Sequence, residues 1–338
     1  MHVASAGMRR RRWLVASALT SAVLTATLAC GPGADPEPAN PLAGSVLWVD
    51  PESAAALAEQ QLRNDGDPTT AGGLTPISSQ PVATWLVNDD PVALTQRVTR
   101  TAAVTGQLPV LVLYHRPGRD CGSYSGGGAA EQSSYLTWVG AVADAIEDQR
   151  ALVVVEPDAI PQALSGKCAQ DGDPATTYAM LASAVEILGR HENTLVYLDA
   201  GHPGWIADAG ALAGALRDSG SEQADGFSLN VSNFASTADN QAYGDELSAA
   251  LGDKQYLIDV SRNGRGAPEA DPASIDAWCN PPSVALGDNP EIGADRARAV
   301  AYLWIKEPGA SDGNCREGEP PAGQFWPEYA ERLIRQRP

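Results

Sequence analysis

Residues 152–161 read LVVVEPDAIP. Four apolar residues run straight into Glu156, Pro157 and Asp158. A short, uninterrupted aliphatic run of this kind predicts a strand covered on both faces, as in a parallel sheet. The proline holds the backbone between two acids just past the strand end. Two carboxylates at such a point mark a place where charge is wanted.

The same pattern recurs along the chain. Strand-like runs fall at 46–50, 83–87, 109–115, 152–156, 194–199, 227–232, 256–261 and 300–305. Between them lie Ala/Leu-rich amphipathic stretches such as 135–149, 177–190 and 208–217. Strands alternating with helices imply an α/β fold with a parallel sheet. About eight such units fit a (β/α) barrel better than an open sheet. Active sites of such barrels sit at the C-terminal ends of the strands. The residues that end the runs are Asp50, Tyr114, Glu156 with Asp158, Asp199, Asn230, Asp259 with Ser261 and Arg262, and Lys306. The opposite ends begin with turn residues such as Asn193, Asp225 and Gln255. Several carboxylates on one rim, with no His or Cys partners, point to carboxylate acid/base chemistry.

The bulk composition narrows the partners. The 338 residues are 43% hydrophobic, enough for a sizeable core, and the formal net charge is −19. Such an acidic chain would be repelled by phosphates, so nucleic acid is not an expected partner. A neutral or weakly charged substrate is. RRRR at 9–12 precedes the uncharged WLVASALTSAVLTATLA, so residues 1–29 read as a signal peptide. Arg10 and Arg11 also fit a twin-arginine signal. The apolar run is short for a membrane span. Without residues 1–29, 19 basic residues face 42 acidic ones. Cys30 closes TLAC, which resembles a bacterial lipobox with Thr27 where Leu is usual; the alternative is an ordinary signal peptide with an incidental cysteine. Residues 30–44 then form a Pro/Gly-rich linker, tethered to a membrane if Cys30 is lipidated, and 45–338 a single catalytic domain.

Four cysteines remain, Cys121, Cys168, Cys279 and Cys315. They allow three disulfide connectivities. The sequence-local one pairs 121 with 168 and 279 with 315, and each bridge would staple a loop beside a candidate site residue. No CxxC or Cys/His spacing suggests a metal site, and the four histidines are scattered. No metal or cofactor is expected.

At the strand ends the sequence resembles a known family. YHRPGRDCGSYSGGG (114–128), VVVEPDAIPQ (153–162), YLDAGHPGW (197–205), GFSLNVSNF (226–234), DVSRNG (259–264), WCNPPSVALG (278–287) and WIKEPGASDG (304–313) are similar, in order, to the motifs of glycoside hydrolase family 6. The resemblance covers about residues 46–326. It implies a distorted, partly open β/α barrel and inverting hydrolysis of β-1,4-glucan. By motif position, Asp158 corresponds to the general acid. Asp120 corresponds to the carboxylate that raises the acid's pKa and helps place water, Asp312 to the proposed base, and Asp199 to a structural carboxylate in the cleft. Tyr114 corresponds to the tyrosine crowding the reacting sugar. His202 and Trp205 fall on the leaving-group side, Trp278 and Lys306 on the non-reducing side. Trp85 and Asn230 complete the expected substrate contacts, although Asn230 and Asn233 are open between sugar contact and loop hydrogen bonding. Asp259 and Arg262 are open between a local ion pair and site groups. Glu156 is expected to point back into the barrel and pair with Arg119 or Lys306.

The chemistry is consistent with this assignment. Inversion needs one protonated and one ionised carboxyl group, roughly 6.5–9.5 Å apart, with water between. Burial and a neighbouring like charge keep such an acid protonated near neutrality. Three departures stand out: Gly126 replaces a usual Ser, Ala310 replaces a usual sugar-contacting Glu, and Ser283-Val284 replaces Gly-Arg. Only 38 positions separate Asp120 from Asp158, and 26 residues follow Asp312. That leaves no room for both roofing loops of a cellobiohydrolase, so an open cleft and endo cleavage are expected from a monomer outside the cell. A lipid-tethered carbohydrate-binding protein with a dead site, and an exo-acting enzyme, are the alternatives.

Overall fold

The computed structural model describes residues 39–168, 172–268, 278–293 and 298–338. Residues 1–29, read above as a signal peptide, and Cys30 lie outside them.

Among the described residues, eight strands form one curled sheet: β1 (Thr84–Leu86), β2 (Val110–Leu113), β3 (Ala151–Val155), β4 (Thr194–Asp199), β5 (Gly226–Leu229), β6 (Gln255–Asp259), β7 (Glu291–Ile292) and β8 (Ala299–Leu303). Their spatial order is β1-β2-β3-β4-β5-β6-β8-β7. Every pairing is parallel except the short β7–β8 contact. Helices α1 (Ala54–Asn64), α2 (Pro68–Ser78), α3 (Val92–Val104), α4 (Gln132–Ile146), α5 (Ala159–Ser165), α6 (Pro174–Leu188), α7 (Ala209–Asp218), α8 (Thr237–Ala250) and α9 (Pro327–Arg335) accompany it. The two ends of the sheet approach each other where the Ala83 N–H donates to the Trp304 carbonyl at 3.0 Å. The result is the distorted, partly open (β/α) barrel expected.

Period-two alternation explains why the strands are apolar throughout. Val110, Val112, Leu152 and Val154 join Tyr197, Leu257 and Val300 in a cluster inside the curl. Leu111, Leu113, Val153 and Val155 instead join the helices' buried face, including Val139, Leu181, Leu212 and Leu247. Residues of the central strands are therefore buried almost throughout, whichever way they point, while β1 and β7 at the sheet's ends are less covered.

Local signals start the helices where acids and hydroxyls can cap them. Ser53, Asp67, Asp173, Asp208 and Ser236 accept from the first-turn amides of α1, α2, α6, α7 and α8. Pro68 and Pro174 sit in the first turns of α2 and α6, where no amide is needed.

Two expectations change. The 46–50 run is not a strand: it makes a single parallel bridge, Leu47 to Leu108, at the foot of β2. Pro51 follows at once, and the Asp50 side chain accepts from the Glu52 amide, turning the chain into α1. The packed unit also starts earlier than residue 45. Leu42 is fully buried inside the curl, and the Asn40 side chain donates to the Val300 carbonyl.

Candidate active site

The C-terminal strand ends open into a cleft. A cavity of about 530 Å³ is lined by Asp120, Asp158 and Asp312, with Trp205 and Trp278 among its walls. It shares Trp85, Tyr114, Ser125 and Lys306 with a neighbouring cavity of about 470 Å³. Eleven candidate residues were expected from sequence; nine line the first cavity. Asp199 and Asn230 do not.

Asp158 follows the end of β3 on an unusual turn. Glu156 and Asp158 both have positive φ, 45° and 73°, on either side of Pro157. Such backbone is strained for residues other than glycine and persists only where its surroundings hold it. Here the hold is explicit. The Asp158 N–H donates to Oδ2 of Asp199 at 2.9 Å, and the Gly201 N–H donates to the same oxygen at 3.1 Å. The other Asp199 oxygen accepts from the Ser228 hydroxyl at 3.1 Å. Asp199 is buried behind the cleft, where it positions Asp158. Burial, then the charges of Asp199 and Asp120, push the Asp158 carboxyl well above the ordinary carboxylate range. Asp199 is raised by burial too, against three stabilising hydrogen bonds.

Asp120 lies in the loop after β2. Its Oδ2 accepts from the Ser125 N–H at 2.8 Å. Burial raises its pKa, with the Ser125 amide, Lys167, Arg119 and Arg116 opposing. Asp312 is the opposite case. Burial would raise it, but Arg262 and Lys306 outweigh that and hold it below the usual range. Its Oδ2 accepts from Arg262 Nη1 at 2.8 Å and from the Asn280 N–H at 3.0 Å, while Lys306 Nζ lies 3.3 Å from Oδ1. The cleft thus holds one carboxyl biased toward protonation and one biased toward ionisation, the asymmetry acid/base chemistry requires.

The aromatic walls are set by specific contacts. Trp85 donates its indole N–H to the Ile305 carbonyl at 2.8 Å and meets Tyr114 edge-on. His202 packs against Trp205, its Nδ1 2.9 Å from the Pro203 carbonyl, and burial lowers its pKa, favouring the neutral ring. Trp278 is 41% exposed and meets Tyr124 across the rim.

Several expectations need correction. Glu156 pairs with neither Arg119 nor Lys306. It is buried behind the strand end, accepts from the His115 N–H at 2.9 Å, and lies beside Arg116 and Tyr135. The positive φ of Glu156 breaks the alternation that points Leu152 and Val154 into the curl, and the side chain lies instead toward Tyr135 on the helix side. Asn230 is fully buried: its amide donates to the Asp259 carbonyl at 2.8 Å and its oxygen accepts from the Ala235 N–H. Asn233, three residues on, lines the cavity instead. Asp259 is no ion-pair partner of Arg262; it accepts from the main-chain amides of Ser232, Ser261 and Lys306. Arg262 reaches Asp312 instead, which only the folded chain brings near.

Both sequence-local disulfides are present, Cys121–Cys168 and Cys279–Cys315. The first joins the Asp120 loop to the segment after α5; the second flanks Asp312. The Gly126 departure has a steric reason. A Cβ there would lie 3.0 Å from the Gly122 Cα and carbonyl carbon and from the Ser123 oxygen. Ser125 lines the cavity instead. Near Ala310, the second cavity holds a carboxylate that sequence comparison missed, Glu307, whose Oε1 accepts from the Ala55 N–H at 2.8 Å. Lys167, with Nζ 5.6 Å from the centre of the Trp205 ring, is a further cleft residue without a motif to announce it.

The sequence model of Glycosyl hydrolases family 6 matches residues 42–337. The chain belongs to this family. Endoglucanase A of Cellulomonas fimi is 39% identical over 86% of this chain, which spans 61% of that relative's length. Endoglucanase 1 of Streptomyces halstedii is 39% identical over 85% of the chain and 88% of its own length. Among solved structures, the family 6 chain is similar to the endoglucanase Cel6 from Mycobacterium tuberculosis, in complex with methyl-cellobiosyl-4-deoxy-4-thio-β-D-cellobioside. That match has a TM-score of 0.80 and 42% identity, and covers 88% of this chain and 99% of the other.

Proposed function

We propose that this family 6 chain is an exported endo-β-1,4-glucanase that hydrolyses internal bonds of cellulose or mixed-linkage glucan with inversion. The observation that carries the reading is the meeting of Asp120, Asp158 and Asp312 in one aromatic-walled cavity. The names of the endoglucanases it resembles support the substrate class.

In this reading Asp158, kept protonated by burial and by its acidic neighbours, gives its proton to the glycosidic oxygen as the bond breaks. Water attacks the anomeric carbon from the opposite face, and that carbon inverts. Asp120 supplies the like charge beside the acid and helps hold the water. Asp312, held ionised by Arg262 and Lys306, is the carboxylate that accepts the water's proton, directly or through intervening water. Tyr114 crowds the reacting sugar and favours its distortion. His202 and Trp205 carry the leaving-group side; Trp85, Trp278 and Lys306 carry the non-reducing side. Tryptophan faces suit the apolar faces of glucose rings. Asn233 replaces Asn230 among the sugar contacts.

Export rests on the 1–29 leader and on two disulfides, which persist in oxidising compartments. Cys30 is the proposed lipid anchor, with the catalytic unit acting as a monomer outside the cell.

Reducing-sugar release from barley β-glucan and carboxymethylcellulose, compared between wild type and Asp158→Ala, tests the reading. Viscosity falling faster than sugar release marks endo attack. Equal, negligible release from both proteins overturns it.

A further inference from the structure

Arg119 is the residue immediately before Asp120, yet among the described residues no carboxylate pairs with it. Its guanidinium is spent on carbonyl groups. Nε donates to Ser125 O at 2.7 Å, Nη1 to Tyr114 O at 2.7 Å and to Val87 O at 3.3 Å, and Nη2 to Gly126 O at 3.2 Å. The Arg119 N–H adds a bond to the Gly127 carbonyl at 3.2 Å. The guanidinium carbon also sits 5.1 Å from the centre of the Tyr114 ring.

These contacts have a common consequence. The loop from 119 to 127 is glycine-rich and only partly buried, and Asp120 and Cys121 both have positive φ. The Cys121–Cys168 bridge pins it at one point only. Arg119 closes the rest by drawing residues 125–127 back onto 119 and tying both to the ends of β1 and β2. By holding the Ser125 carbonyl, it also fixes the Ser125 N–H that donates to Asp120 Oδ2. A rigid planar fork with five donors can hold four carbonyls in fixed directions at once; an ammonium has three donors on a flexible stem.

We infer that Arg119 is the positioning residue for Asp120, acting through the shape of its guanidinium, which folds the 119–127 loop around itself and sets the Asp120 carboxylate against Asp158. The inference deepens the glucanase reading and rests on it for its kinetic arm.

The groups facing Asp158 are Asp199, Asp120, Lys167, Arg116 and Tyr114; those facing Asp120 are Asp158, Lys167, Arg119, Arg116 and Tyr114. Losing position and losing charge therefore have opposite signatures. If Asp120 drifts from Asp158, the acid loses a like charge and the basic limb of kcat/KM moves to lower pH. If only a positive charge is removed, proton affinities in the cleft rise and the limb moves to higher pH.

The test compares wild type, Arg119→Lys and Arg119→Ala. Misplacement on the order of 1 Å costs about 10²-fold in rate, so both variants are expected to lose about that much kcat with KM nearly unchanged. Both basic limbs should move to lower pH. Hydrogen–deuterium exchange over residues 119–127 should quicken in both, with the disulfides intact. Arg119→Lys with wild-type rate and profile, a limb moving upward, or unchanged exchange in the loop would overturn the inference. If the wild type itself releases no more sugar than Asp158→Ala, the glucanase reading fails alone, and the exchange measurement still decides whether Arg119 holds the loop.

Discussion

The main-chain N–H of Asp158 donates to Oδ2 of Asp199 at 2.9 Å, across the ends of two adjacent strands. Asp199 therefore acts on Asp158 twice, once as a backbone anchor and once as a negative charge. Asp199→Asn retains an oxygen acceptor but removes the charge. In the proposed mechanism Asp158 is needed protonated, so activity is lost as pH rises through its pKa. Removing a like charge lowers that pKa, and the basic limb of kcat/KM should move to lower pH in Asp199→Asn. A limb that stays in place would show that burial alone tunes Asp158.

A general acid matters most when the leaving group is poor. Proton transfer of this kind contributes about 10²–10⁴-fold. Asp158→Asn should lose that much kcat on β-glucan, yet less than about tenfold on a dinitrophenyl cello-oligosaccharide, whose leaving group needs little protonation. Equal losses on both substrates would assign Asp158 some other task.

Arg262 and Asp312 form a buried ion pair at 2.8 Å. Removing one partner of such a pair costs about 3–5 kcal/mol, because the other charge is stranded. Arg262→Met should lower the thermal midpoint accordingly and raise the pKa of Asp312, moving the acid limb of activity upward. The pair's own pH dependence follows from the lowered Asp312 pKa. Its stabilisation is present above the unfolded carboxylate pKa and is lost as pH falls through the lower folded value. Chemical denaturation at neutral and strongly acidic pH measures both effects.

Glu156 has the reverse sign. Burial raises its pKa from 4.5 to about 7 in the folded chain. The native state then binds the proton more tightly than the unfolded chain, so this group's contribution declines as pH rises from about 4.5 to about 7. Glu156→Gln keeps the acceptor for the His115 N–H and removes the titration. It should raise the thermal midpoint at pH 8 relative to wild type, with a smaller or no gain at pH 4.5. An equal change at both pH values would mean that the buried charge is not what destabilises.

The Cys121–Cys168 bridge closes 47 residues of chain and joins the Asp120 loop to the segment following Asp158. On the chain-entropy account a loop of that size contributes about 4 kcal/mol. Replacing both cysteines with serine should lower the unfolding free energy by roughly this amount and reduce kcat more than it changes KM. Thermal unfolding and steady-state kinetics of the double variant are the check.

LVVVEPDAIP illustrates how much was legible before folding. Its aliphatic run, the recurrence of that pattern and the acids at the run ends depend only on local chain chemistry, so the parallel barrel and its functional rim could be read directly. The motifs around Asp120, Asp158, Asp199 and Asp312 carried the candidate site, because each acid sits beside residues of distinctive type. The 46–50 run was misread because five apolar-rich residues look the same whether or not a partner edge is free to pair with them. Asn230 was misjudged because a positive-φ bend, invisible in composition, turns its amide inward.

Composition and periodicity by themselves determined the class of fold and the strand ends where charge would gather; the motif resemblance supplied the candidate acids. Tertiary structure alone decided the pairings: Asp199 beneath Asp158, Arg262 on Asp312 rather than Asp259, Glu156 beside Arg116 and Tyr135, and Arg119 on carbonyls rather than an acid. The physical reason is that strand patterning depends on neighbours along the chain. The protonation state and orientation of a buried carboxyl depend on groups tens to hundreds of residues away, which only the closing of the sheet brings within a few ångströms.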